Sequence, residues 1–248
     1  LENPISFARE IYENLDDDGI WHFEQSYMPS MIKNVSYDTI CHEHLEYYSL
    51  KSLNYILEKS DFKIIDIELN DINGGSFAVT VVKKKSKKFE ESSLVEWLLK
   101  KEELYKFNKI QTLIDFKNKV FKHKKILKDL LLNLKDMKKK VAGYGASTKG
   151  NVILQFCDLN EKSIPYIVDV NPYKRNRVTP GSKIRIINDA DFKKKKPDYL
   201  LVLPWHFRNH ILQKERIFIK KGGHFIFPLP DISLVSLLTW KTPLTPLP

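Results

Sequence analysis

The densest ionisable chemistry in this chain is the triplet His42-Glu43-His44. In an extended segment His42 and His44 share one face and Glu43 takes the other. Imidazole titrates near neutrality and a neighbouring carboxylate can orient it, so the triplet suits general acid–base work. A metal site would need a third ligand, which nothing nearby convincingly supplies. Two histidines satisfied by backbone and carboxylates are the structural alternative. A second stretch, Val141-Ala142-Gly143-Tyr144-Gly145-Ala146-Ser147-Thr148-Lys149-Gly150-Asn151, suits anion binding. Glycines between an apolar strand and an apolar helix pattern let a ligand approach the backbone, and the first N–H groups of the helix favour a phosphate. Lys149 adds a positive charge there. A dinucleotide fingerprint would place its third glycine where this chain has Thr148, so nucleotide binding and a purely structural turn both stay open. Downstream, Asp169 ends a second apolar run, a position that often holds a sugar hydroxyl in doubly wound sheets.

The elements that must carry these groups read as α/β. Asn3 and Pro4 open a helix through Leu15, the turn Asp16–Gly19 ends it, and Ile20–Glu24 alternates as a strand. Ser49 caps a helix through Leu57. Phe62–Glu68 and Ser76–Val82 are strands joined by Asn73-Gly74-Gly75, the antiparallel end of a mixed sheet. Glu90–Met137 lacks proline and glycine and carries one or two amphipathic helices, read as a connector between two α/β lobes. Beyond it, strands at 165–170, 199–204 and 224–227 alternate with helices, the second of them opened by Trp205-His206-Phe207. This predicts a small parallel sheet, doubly wound, with helices on both faces. The division expected is 1–83, 84–138, 139–230 and a leucine- and proline-rich tail, 231–248.

Composition narrows the classes. The chain has 248 residues and a net charge of +10, with 41 basic against 31 acidic residues. Most of the excess is lysine in short runs, as at Lys138–Lys140 and Lys193–Lys196, and arginine is scarce, so a solvated surface is expected and no nucleic-acid partner. Two cysteines, Cys41 and Cys157, build neither a disulfide framework nor a cysteine-rich zinc site. No stretch has the length of a membrane span and no signal peptide is visible, so a cytoplasmic protein without a membrane partner is expected. The first residue is Leu1, in what already reads as the middle of a domain, which suggests a fragment. The sequence leaves the oligomeric state open.

Taken in order, five segments carry a resemblance: Tyr37–Ser49 with His42-Glu43-His44, Asn73-Gly74-Gly75-Ser76, Gly143–Asn151, Val168-Asp169-Val170-Asn171-Pro172-Tyr173-Lys174, and Pro204-Trp205-His206-Phe207. Across nearly the whole chain they resemble the S-adenosylmethionine-dependent sugar C-methyltransferases, which methylate C-3 of 4-keto deoxysugars carried on a nucleotide. The resemblance implies the C-terminal part of a class I methyltransferase-like sheet, the helical connector, and a small Rossmann-like lobe for the sugar nucleotide. It implies His44 as the base, with Glu43 and His42 beside it. Gly143, Tyr144, Gly145, Ala146, Lys149, Gly150, Asn151, Asp169, Asn171, Lys174 and His206 would face the nucleoside diphosphate sugar. The chain departs from the family at Cys41, where a tyrosine is usual. The cysteine-rich zinc-binding segment and the glycine-rich segment that holds S-adenosylmethionine are also missing from it. Donor binding by this chain is therefore expected to be weak or absent, and a non-catalytic sugar-nucleotide-binding module is the alternative. A nicotinamide-dependent oxidoreductase is opposed by the glycine spacing.

Overall fold

The structure is a computed structural model, described here for residues 2–240. Its contacts divide the chain into two compact units. One holds the residues up to Ser36 together with His42–Lys117. The other holds Tyr37–Cys41 and the chain from Asn118 onward.

The first unit contains α1 (Pro4–Asn14), β1 (Ile20–Ser26), α2 (Met28–Lys33), α3 (Leu50–Lys59), β2 (Phe62–Asn70), β3 (Ser76–Lys83), α4 (Ser93–Leu104) and the start of α5 (Ile110–Asp136). Asn3 caps α1 as its sequence foretells, the Asn3 side chain accepting from the Ser6 N–H at 3.0 Å. The strands order as β1-β3-β2, and β3 runs against both neighbours. All pairing in this sheet is thus antiparallel among the described residues. Phe77, Val79 and Val81 of β3 pack with Phe62 and Ile64 of β2, with Leu50, Leu53 and Leu57 of α3, and with Val95 and Leu98 of α4. The long helical stretch is two helices, with Lys106 in a left-handed conformation (φ 56°) in the break between them.

The start of α3 is held by a buried carboxylate. Ser49 and Ser52 form a capping box there. Glu102, 5% exposed, reaches over from α4 and accepts from the Leu50 N–H at 2.6 Å and the Lys51 N–H at 3.1 Å. It also accepts from the Tyr27 hydroxyl at 2.8 Å. A negative charge at a helix N-terminus answers both the free N–H groups and the helix dipole.

The second unit continues α5 and adds β4 (Val141–Tyr144), α6 (Thr148–Phe156), β5 (Tyr166–Val168), β6 (Arg185–Ile187), α7 (Asp189–Lys195), β7 (Tyr199–Val202), α8 (Arg208–Lys214), α9 (Arg216–Lys220), β8 (His224–Phe227), β9 (Ser233–Val235) and α10 (Leu237–Trp240). Its sheet orders as β6-β5-β4-β7-β8-β9. The first five strands are parallel and β9 pairs antiparallel with β8. From β4 the chain first winds to one side, through β5 and β6, and then to the other, through β7 and β8. Right-handed crossovers therefore put α6 and the α8–α9 pair on opposite faces.

One difference from the sequence expectation stands out. The stretch expected as a tail contributes β9, whose Val235 is 3% exposed opposite Phe225, because pairing satisfies an edge of β8 that would otherwise stay open. The rest of that tail, 241–248, lies outside the described residues. The lysine run 193–196 closes α7, where cations suit the carbonyl end of the helix. Among the described residues no helix is long and apolar enough to cross a membrane.

Tyr37–Thr39 forms a short 3-10 turn in the second unit, and Tyr37 lies in a directed chain of hydrogen bonds. His123 Nε2 is 2.6 Å from the Pro228 carbonyl oxygen, which can only accept, so Nε2 carries the proton. His123 Nδ1 then accepts from the Tyr37 hydroxyl at 3.1 Å. The Tyr37 oxygen in turn accepts from the Cys157 thiol at 3.4 Å. Burial holds the His123 pKa below its ordinary value.

Two outcomes follow from these anchors. Glu102→Ala orphans two backbone donors and a phenol, and is expected to cost about 2–4 kcal/mol in urea unfolding, with Glu102→Gln costing less. His123 is less readily protonated folded than unfolded, so its contribution is complete above the unfolded value of about 6.5 and is lost as pH falls below it. The acid-side loss of urea stability should therefore be shallower in His123→Phe than in the wild type.

Candidate functional site

In the first unit the triplet sits on the loop between α2 and α3. The extended geometry in which His42 and His44 would share a face is not what forms. His42 and Glu43 lie in a turn, which brings the Glu43 carboxylate to 4.0 Å from His42 Nε2. With side chains 86% and 59% exposed, that pair is weak. His44 stacks on Tyr47, with ring centroids 6.3 Å apart and planes 17° from parallel. The loop is then fixed at Tyr48, whose carbonyl accepts from the Met28 N–H at 2.8 Å and which bridges to Tyr27, and it runs directly into the α3 cap.

Glu43 and His44 line a cavity of about 450 Å³ between α1, β1 and α3; His42 does not. Glu46 and Tyr48 belong to the same lining, the Tyr48 hydroxyl donating to Glu46 Oε2. Its apolar wall includes Trp21 and Phe23, whose rings lie 4.3 Å apart. The size suits a small ligand, and Gln25, Glu43, His44, Glu46 and Tyr48 give the cavity its polar lining. Sequence reasoning singled out neither Glu46 nor Tyr48. Their signal was their place in the same polar-aromatic stretch as the triplet.

In the second unit a crevice of about 260 Å³ lies at the carboxyl ends of β4, β5 and β7. This is where the strand order reverses, the position at which open α/β sheets bind ligands. Tyr144, Gly145, Asp169 and Lys174 of the expected residues line it, together with Ser147, Phe207 and Lys214. Gly143, Ala146, Lys149, Gly150, Asn151, Asn171 and His206 are not part of that lining.

The glycines serve two needs. Gly145 has φ +80°, and a Cβ there would meet the Pro204 ring at 2.6 Å. Gly143 and Gly150 instead allow close approach, to Ile167 at 2.5 Å and Leu203 at 2.7 Å. The carboxylate of Asp169 braces the loop. Its Oδ2 accepts from the Ala146 N–H at 2.7 Å and its Oδ1 from the Asn171 N–H at 2.8 Å. Lys174 Nζ lies 3.4 Å from Asp169 and donates to the Ala146 carbonyl at 2.7 Å. The Gly150 N–H goes to the Ser147 hydroxyl at 3.0 Å, which caps α6. Two N–H groups of the glycine turn that were expected to face an anion, those of Ala146 and Gly150, are thus spent on the protein itself. Tyr144 donates to Glu215 at 2.9 Å, and Asn171 accepts from the Tyr173 N–H.

Lys149 belongs to a separate, more buried group. Asp38, 1% exposed, accepts from the Trp205 indole N–H at 2.8 Å. Burial raises the Asp38 pKa, while Trp205 and then Lys149 oppose the rise. Burial likewise lowers Lys149, against the pull of Asp38. Burial, helped by the Lys149 charge, pushes His206 down to about 4, so it is neutral at physiological pH. Asp38 Oδ1, Asn151 Oδ1 and His206 Nδ1 are buried with no hydrogen-bond partner among the described residues. Asp38 was not foreseen, since a lone aspartate before a threonine carries no pattern of its own. No group of three or more His, Cys, Asp or Glu among the described residues has metal-holding geometry.

The crevice and its glycine turn lie inside residues 71–230, which match the family model described as "C-methyltransferase C-terminal domain". The chain belongs to this family. It is also 31% identical over 222 residues to the C-methyltransferase NovU of Streptomyces niveus, a match covering 90% of this chain and 53% of the relative. This C-methyltransferase family member thus spans about half the length of that curated relative. The family match takes in the crevice residues and stops short of His42–His44, which lie upstream of it.

Gly145→Ala in this family member meets both the positive φ and the Pro204 ring. It is expected to lower stability by about 1–3 kcal/mol in denaturant unfolding, whereas Thr148→Ala, on the exposed side of the helix start, should change it little.

Proposed function

We propose that this protein serves in C-methylation at C-3 of a 4-keto deoxysugar carried on a nucleoside diphosphate, with S-adenosylmethionine as methyl donor. The observation that carries the reading is the cavity that gathers His44 with Glu43, Glu46 and Tyr48, in a chain of the C-methyltransferase family. A carbon beside a ketone becomes nucleophilic only when its proton is removed, and the chemistry therefore asks for a base at the substrate carbon. His44 is assigned that role: its ring nitrogen takes the C-3 proton, and the C–H electron pair becomes the C-3 to C-4 double bond of an enolate. Glu43 stands beside it in the same lining, and His42 is left as an exposed neighbour.

For the nucleotide, the crevice of the second unit supports the reading. Lys174 and Lys214 offer positive charge for a diphosphate, and the Phe207 ring, 57% exposed, offers a stacking surface for a base. Asp169, Asn171 and Ala146 act there by fixing the loop.

S-adenosylmethionine would supply an electrophilic methyl group on a sulfonium. The first unit does not fit its adenosyl part. Its glycines are Gly19, ahead of β1, and Gly74-Gly75, in the β2–β3 hairpin, and neither leads a strand into a helix. The chemistry assigned to these residues is accordingly proton removal and sugar-nucleotide binding.

Deuterium incorporation from solvent at C-3 of a thymidine-diphosphate 4-keto-6-deoxyhexose tests the assignment. The wild type is expected to exchange the proton faster than buffer. His44→Ala should lose that exchange while calorimetry shows the sugar nucleotide still bound. Binding without exchange in the wild type would favour a non-catalytic sugar-nucleotide module, and absence of binding would remove the reading altogether.

A further inference from the structure

We propose that Tyr48 is the hydrogen-bond donor to the enolate oxygen, with Glu46 holding its hydroxyl until substrate arrives. The inference rests on the C-methylation reading and concerns a residue which that reading leaves without a role.

Removing a proton beside a ketone moves negative charge onto the keto oxygen, and a fixed donor aimed there is the main means of stabilising it. Besides His44, three side chains of the cavity lining carry a neutral donor: Trp21, Gln25 and Tyr48. Trp21 is packed among the rings of Phe7, Phe23 and Phe62. Gln25 is exposed on the edge strand β1. Tyr48 differs from both. Its ring packs against the hydrophobic core, its backbone is tied to Met28 and Tyr27, and it lines the same cavity as Glu43 and His44. A donor held from both backbone and ring needs little reorganisation when charge develops.

The Tyr48 hydroxyl donates to Glu46 Oε2. Burial first, and then the Glu46 carboxylate, raises the phenol above its ordinary pKa, so the group keeps its proton and acts as a donor. The acceptor can change during the reaction. A carboxylate, whose acid has a pKa of about 4, is a much weaker base than an enolate oxygen. The neutral keto oxygen competes poorly with Glu46, and the enolate oxygen competes well. The bond to the substrate therefore strengthens as the proton leaves C-3, which is the condition for raising kcat rather than only tightening binding. In proton terms the step is balanced by His44, which takes the C-3 proton, while the Tyr48 proton stays on the phenol.

The same deuterium exchange at C-3 of the thymidine-diphosphate 4-keto-6-deoxyhexose separates this proposal from the reading beneath it. Tyr48→Phe keeps the packed ring and loses only the hydroxyl. It is expected to slow exchange about 10²–10³-fold while calorimetric affinity and the urea midpoint stay at wild-type values. Glu46→Gln leaves a side-chain oxygen for the hydroxyl to rest on and should retain most of the rate. Wild-type exchange with an equal rate in Tyr48→Phe overturns the proposal and leaves His44 as base untouched. A parallel loss of affinity and rate would make Tyr48 a packing residue and overturn it as well. A wild type that binds but does not exchange sinks the C-methylation reading and this inference with it.

Discussion

The first unit hangs on one buried carboxylate. Glu102 joins three pieces of chain that are far apart in sequence: the end of β1 through Tyr27, the first turn of α3 through Leu50 and Lys51, and its own helix α4. A buried charge is tolerable only when its lone pairs are filled, and here two backbone N–H groups and a phenol fill them. The loop that carries Glu43, His44, Glu46 and Tyr48 ends at the point this carboxylate secures. That anchor steadies a stretch whose other ties include the His44–Tyr47 ring stack, the Tyr48–Glu46 hydrogen bond and the Met28–Tyr48 backbone bond.

The second unit uses a carboxylate in a related way, at an α/β crossover. Asp169 stands at the end of β5 and ties the glycine turn after β4 to the turn that carries Lys174. The two loops that wall the crevice are thereby set relative to each other. The parallel sheet supplies the crevice by topology alone, since the chain turns in opposite directions from β4 and β7.

Much of this was legible in the sequence where local chemistry decides it. Asn3-Pro4 and Ser49 mark helix starts through their own side chains, and Asn73-Gly74-Gly75 marks a hairpin through its backbone freedom. The parallel strands at Tyr166–Val168 and Tyr199–Val202 announce themselves as apolar runs. What escaped depends on distant partners. β6 and β9 lack a long apolar run of their own and are defined by the neighbouring strands they pair with, β5 and β8. Glu102 reads as one more charge on an amphipathic helix, and Asp38 as one polar residue in a loop, until Trp205 is brought to it. The triplet His42-Glu43-His44 was visible as chemistry, but its turn was not. A wholly polar triplet has no apolar period and no glycine or proline to mark the course of its backbone.

The close approaches around the glycine turn also bear on how this protein can diverge. Gly145 abuts Pro204, Gly150 abuts Leu203 and Gly143 abuts Ile167, each at a distance that leaves no room for even a methyl group. The glycine turn, which reaches the crevice at Gly145, is frozen by contact between backbone and neighbouring side chains. Val170 and Phe207, which also line the crevice, are 62% and 57% exposed. Evolutionary latitude is therefore lopsided: a lineage that changes its ligand would rewrite the exposed rim and inherit the glycine turn intact.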